Sequence, residues 1–220
     1  MNLYKNGMIF GTFLGSCLCI GLLAASLGTR YWIVSTAAIV NRTESDGKVF
    51  YGLFNGEKNL NFGIGWRTYE LNVPQEMSAL MVYSYWLGTV CCMAAGIVFS
   101  SLSAVLAVVN SATTPIWTIT GVPGLYLWNI VSILFQSGAV ALWVTLYFRK
   151  LQFSIMTSDD RWSTEGRAFF GLSFWLVVAS IGVQIINVIF IYSATSDMRQ
   201  KKKAAKPVIE EKTNGAIMLY

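Results

Sequence analysis

Charged positions stop at Glu76 and resume at Arg149, so residues 77–148 form a run of 72 residues without Asp, Glu, Lys or Arg. As a single helix this run would measure about 108 Å at about 1.5 Å per residue, whereas about 20 residues cross a hydrocarbon core of about 30 Å. The run must therefore fold back on itself. The break falls at 110–123 (NSATTPIWTITGVP), where two prolines, an Asn and several Ser and Thr interrupt the apolar pattern. Two more uncharged runs, 6–29 and 168–196, are each long enough to span a bilayer. The pattern predicts four spans at about 8–28, 80–109, 124–148 and 169–192, with outer loops at 29–76 and 149–167 and a tail at 197–220. The whole chain, 1–220, is expected to be one domain.

In the first loop the period changes. Residues 32–40, 48–54 (KVFYGLF) and, more weakly, 60–64 are rich in strand formers. Asp46-Gly47 and Asn55-Gly56 suit two-residue turns, because both central positions need positive φ. The expected fold class is all-α membrane: a four-transmembrane-helix bundle with a small antiparallel β-sheet in the first extracellular loop. The short second loop, with Asp159, Asp160, Arg161 and Trp162, is expected to pack on that sheet or to offer a contact surface.

Within the spans, Gly7, Gly11 and Gly15 recur every four residues, as do Gly88, Cys92, Gly96, Ser100 and Ala104. Each ladder makes a helix face with little side chain, and the two faces are expected to pack together, with a homodimer face as the other option. Asn129, Ser132 and Gln136 in the third span, and Gln184 and Asn187 in the fourth, are expected to bond between helices. No span contains Asp, Glu, Lys or Arg and the chain has no histidine, which removes the usual residues of proton relays, voltage sensing and ion-coupled transport. Tyr31, Trp32, Tyr83, Tyr85, Trp86 and Trp128 fall near span ends and read as an interfacial belt, whereas Trp143 and Trp175 read as packing residues.

Composition agrees with a small integral membrane protein: 55% of residues are apolar, 12% are charged and mean hydropathy is +0.53. The net charge of +5 points to a membrane surface rather than nucleic acid. Its dense cluster, Arg199, Lys201, Lys202, Lys203 and Lys206, directly follows the fourth span and reads as a stop-transfer anchor, with phosphoinositide recognition as the alternative. Basic density favours a cytosolic tail: six basic residues lie in the 24 from Asp197 on, against nine over the much greater combined length of the two loops. Four spans then place both termini in the cytosol, with the first uncharged run kept as a span rather than removed as a signal peptide. The sequon Asn41-Arg42-Thr43 falls in the first outer loop, making Asn41 a glycosylation candidate. All four cysteines lie in spans, so no disulfide is expected in the loops. Met218, Leu219 and Tyr220 are a candidate ligand for a PDZ-type groove. With no histidine base, carboxylate cluster or phosphate-cradling Gly-Lys-Ser loop, no catalytic, cofactor or metal site is expected.

Several stretches carry a family likeness: Leu27-Gly28-Thr29 with Trp32, Tyr51-Gly52-Leu53-Phe54-Asn55-Gly56-Glu57, Gly121-Val122-Pro123-Gly124-Leu125-Tyr126-Leu127-Trp128-Asn129, Ser173-Phe174-Trp175, and the terminal Leu219-Tyr220. In this set the chain resembles the clarin family of four-span proteins, distant relatives of the claudin and peripheral-myelin-protein group. The claudin-type signature is incomplete, because Phe54 replaces a Trp and both loop cysteines are absent, which argues against a tight-junction barrier. Tetraspanins are disfavoured as well, since Cys91-Cys92-Met93 lies inside a span. The resemblance implies a non-enzymatic organiser or adaptor, at the plasma membrane, of partner membrane proteins and actin-linked membrane specialisations. An auxiliary channel subunit or a claudin-like pore is the alternative. Expected partners are membrane lipids, membrane or scaffold proteins, a PDZ-domain protein and a second copy of the chain, without nucleic acid.

Overall fold

The computed structural model describes residues 3–39, 47–61, 63, 65–75, 81–112, 121–153 and 162–204. Four helices among them are long and apolar enough to cross a membrane: α1 (Leu3–Gly28), α2 (Tyr83–Ala112), α3 (Val122–Leu146) and α4 (Leu172–Ala204). Pro123 stands in the first turn of α3, where its missing N–H removes no helical bond. A π-helical turn, Tyr147–Leu151, continues α3, and Arg149 from that turn lies over the ring of Tyr85 at 5.4 Å. The helices close into a ring in which α1 packs on α2 and α4, and α3 completes it between them. The fourth helix runs through Ser196, where its apolar part ends, to Ala204.

An antiparallel sheet of six strands sits at one end of the bundle. Four strands come from the first loop, β1 (Ile33–Ile39), β2 (Gly47–Tyr51), β3 (Asn55–Asn61) and β4 (Trp66–Asn72), in the order β4-β3-β2-β1. Two short strands from the second loop, β5 (Trp162–Ser163) and β6 (Ala168–Phe170), both pair with β1. The second loop is thus woven into the sheet.

Three sequence expectations need correction here. Asn55-Gly56 is not a turn: both residues open β3, Gly56 pairs with Tyr51, and the chain reverses at Gly52 to Phe54, where the Gly52 N–H reaches Asn55 O at 2.8 Å. Of the weak run 60–64 only Leu60 and Asn61 belong to a strand, as the far end of β3, and Phe62 and Ile64 lie outside the described residues. Strand β4 was not expected because its residues are exposed on both faces apart from Leu71, leaving no alternation to read. Trp32 and Trp86 are not belt residues. Both are buried, and their indole N–H groups donate to Ser26 O and Leu53 O, each at 2.8 Å. Trp143 is fully buried as a packing residue, 4.9 Å from the Trp32 ring and edge-on to it, whereas Trp175 is exposed on α4. Of the other residues read as belt, Trp128 stacks on Phe99, and Tyr31 and Tyr83 are exposed.

The two small-residue ladders also find other neighbours. A Cβ at Gly15 would collide with the Asn187 amide, and one at Gly11 would stand 3.2 Å from Phe190, so the α1 face meets α4 rather than α2. A Cβ at Gly88 would lie 2.9 Å from Leu142 and one at Gly96 3.1 Å from Gln136, so the α2 face meets α3. Gly7 meets no described atom within 4 Å.

Candidate functional site

Two constellations of side chains stand out, one inside the bundle and one where α1 meets the sheet. Inside, polar side chains from all four helices form a connected chain of hydrogen bonds. Asn129 Nδ2 on α3 donates to Ser103 Oγ on α2 at 2.7 Å, and Ser16 Oγ on α1 donates to the same oxygen at 3.3 Å. Asn187 Nδ2 on α4 donates to Ser16 Oγ and to Gln184 Oε1, each at 3.3 Å. Gln184 Nε2 in turn reaches Ser100 Oγ at 2.8 Å and Ser132 Oγ at 3.2 Å, and those two hydroxyls are 2.9 Å apart. Gln136 Nε2 donates to Ser132 Oγ at 2.9 Å, while its Oε1 accepts from Ser180. Every member is buried. The sequence pointed to Asn129, Ser132, Gln136, Gln184 and Asn187; it missed Ser16, Ser100, Ser103 and Ser180, because a lone serine in a span is common and shows no partner until the helices are placed.

At the other end, the stretch 51–57 works as a joint. Trp32 N–H donates to Tyr51 O at 3.0 Å, and both side chains are fully buried. Gly52 is required by close approach: a Cβ there would stand 2.7 Å from Thr29 O and 2.9 Å from Arg30 Cα, backbone atoms that cannot rotate away. Leu53 is buried and its carbonyl takes the Trp86 indole; Phe54, partly exposed, lies edge-on to the Trp86 ring at 6.2 Å. Gly56 lets β3 lie against Phe50 O and Tyr51 Cδ1, each 3.0 Å from where its Cβ would be. Glu57 pairs with Arg30, the first cation after α1. The start of α4 locks to the same place. Gly171 N–H donates to Trp32 O and Ser173 N–H to Tyr31 O, both at 3.0 Å, and Thr29 Oγ1 lies 2.7 Å from Ser173 Oγ.

Of the third-span stretch, Gly124 and Asn129 are buried, Tyr126 packs on a smaller cluster of Ile9, Ala107, Leu125, Ile191 and Ala194, and only Asn129 joins the bundle network. Arg199, Lys201, Lys202 and Lys203 lie on the helical backbone of α4 beyond the apolar span. Asn41, Lys206, Met218, Leu219 and Tyr220 lie outside the described residues.

Trp32 and the stretch 51–57 are among the residues that carry the family likeness, and a family model matches the chain around them. The model described as Clarin-2, Clarin-2-like, matches residues 13–191, which takes in the sheet, the second and third spans and most of the first and fourth. The chain belongs to the clarin family. Two relatives extend the match nearly end to end: Clarin-3 of Homo sapiens is 28% identical over 210 residues, and Clarin-3 of Mus musculus 29% identical over 214 residues. The first alignment covers 90% of each chain and the second 93% of each. This clarin is therefore a multi-pass membrane protein whose Tyr51-Gly52-Leu53-Phe54 stretch packs the sheet against the end of α1.

Proposed function

We propose that this clarin is a non-enzymatic organiser of other membrane proteins, held in the plasma membrane with both termini in the cytosol and the sheet outside. The observation that carries the reading is the network within the bundle: Asn, Gln and Ser side chains from all four helices bond to one another, only the amide oxygens of Asn129 and Asn187 in it lack a partner, and the uncharged runs 6–29, 77–148 and 168–196 hold no Asp, Glu, Lys, Arg or His. A bundle closed in this way supports a scaffold better than a conduit. The edge strand β4 adds a surface for contact, with Trp66 and Tyr69 exposed. The basic residues from Arg199 to Lys206 would hold the inner leaflet, and Met218-Leu219-Tyr220 would recruit a PDZ-domain scaffold.

The test is purification from native tissue in mild detergent, with co-purifying proteins quantified against a tail-truncated control. Stoichiometric recovery of adhesion, cytoskeletal or channel proteins is the expected result. Recovery of the chain alone as a defined oligomer, with ionic currents in planar bilayers, would replace the organiser by a self-assembling pore.

A further inference from the structure

A polar cavity of about 470 Å³ lies beneath strands β3 and β4, where α1 leaves the membrane. Its lining includes Thr29, Arg30, Tyr31, Asn55 and Glu70. The size falls within the range of small-ligand sites. Its charges are out of balance in a particular way. Glu57 and Glu70 stand directly opposite each other on β3 and β4, side chains on one face, an arrangement that like charges destabilise. Glu57 is neutralised by Arg30 and also accepts Asn59 Nδ2 at 2.7 Å. No ion pair among the described residues reaches Glu70. The cavity thus offers a carboxylate that no described cation pairs, a tyrosine elsewhere in its wall, and a half-exposed guanidinium with donors left over after its pairing with Glu57.

We propose that this cavity binds the phosphocholine headgroup of a lipid in the leaflet on the sheet side. The trimethylammonium group sits between the Glu70 carboxylate and the face of Tyr31, the pairing of anion and aromatic ring that quaternary ammonium groups favour. The phosphate meets the remaining donors of Arg30. The lipid, rather than a free phosphodiester, is the source because Gly28 and Thr29 at the end of α1 form part of the wall, so the cavity opens at headgroup depth. A bound cation would neutralise Glu70 as Arg30 already neutralises Glu57, which links lipid occupancy to the stability of the β3–β4 pair. The inference goes beyond the organiser reading and does not depend on it.

Native mass spectrometry of the full chain, released from nanodiscs of equimolar phosphatidylcholine and phosphatidylglycerol, reads the site. The wild-type protein is expected to retain phosphatidylcholine preferentially, Glu70→Gln to reduce that retention about fivefold, and Glu70→Lys to favour phosphatidylglycerol. Thr68→Ala, also on β4 but outside the cavity, should retain lipid like the wild type. Because Glu70→Gln removes a like-charge opposition, it should not lower the melting temperature of the lipid-free protein, so lost retention will not reflect misfolding. Equal retention of both lipids by the wild type, or equal loss in Glu70→Gln and Thr68→Ala, overturns the proposal. So does displacement of the lipid by soluble glycerophosphocholine at equal concentration, which would make the ligand a free phosphodiester.

Discussion

The sheet end and the middle of this clarin are held together by opposite means. At the sheet end the buried material is apolar and aromatic: Trp32, Ile33, Val49, Tyr51, Leu53 and Trp143 belong to one continuous core that reaches from the strands down into the tops of the helices. In the middle of the bundle, between that core and the small apolar cluster around Leu125, the helices meet through hydroxyls, amides and glycines, while Phe10, Leu14, Leu134 and Ile189 point outward. The difference follows from the solvent. Water drives apolar groups together around the sheet, but lipid tails are as apolar as leucine and give helices no such push, so contacts within the bundle come from close packing and hydrogen bonds.

The strongest way to break the contrast is at its boundary. Trp32→Ala empties a fully buried site shared by Trp143 and Tyr51 and removes an indole bond to Ser26, so it should cost about 3–5 kcal/mol, read as a large fall in melting temperature in mild detergent. Gly171→Ala comes next, at about 3 kcal/mol, because the new methyl would collide with the backbone carbonyl of Tyr31 and push the start of α4 off the sheet. The polar interior should respond less. Gln184→Leu deletes two donated bonds and the one accepted from Asn187, which keeps its bond to Ser16, and leaves an apolar side chain among helices, so titration with dodecyl sulfate should show a loss of only about 1 kcal/mol. A cost equal to that of Trp32→Ala would mean that the network, not the aromatic core, holds the fold. Smallest of all, Gly7→Ala should shift stability by less than about 0.5 kcal/mol, since no described atom stands near the new methyl.

Legibility in the sequence divided along the same boundary. Uncharged runs located all four helices, because excluding charge from hydrocarbon is a constraint each segment obeys alone. Which helix faces which is a property of the assembled ring, so the Gly11 and Gly15 face was matched to the wrong neighbour. In the loop, Asn55-Gly56 carried a strong turn signal that tertiary packing overrode: Gly52 is the residue without room for a side chain, and the chain reverses there instead. Glu70 carried no signal as a site residue. Its meaning depends on lying across from Glu57, a register that no local pattern encodes.

Strand β1 has a mechanical consequence. It joins β2 from the first loop on one side and β5 and β6 from the second loop on the other, and its Ile33 end is tied to the end of α1 and the start of α4 through Trp32, Gly171 and Ser173. The two loops therefore form one handle with two grips. A force applied to either is carried through the same strand to the first and fourth helices together, as a torque on half the ring.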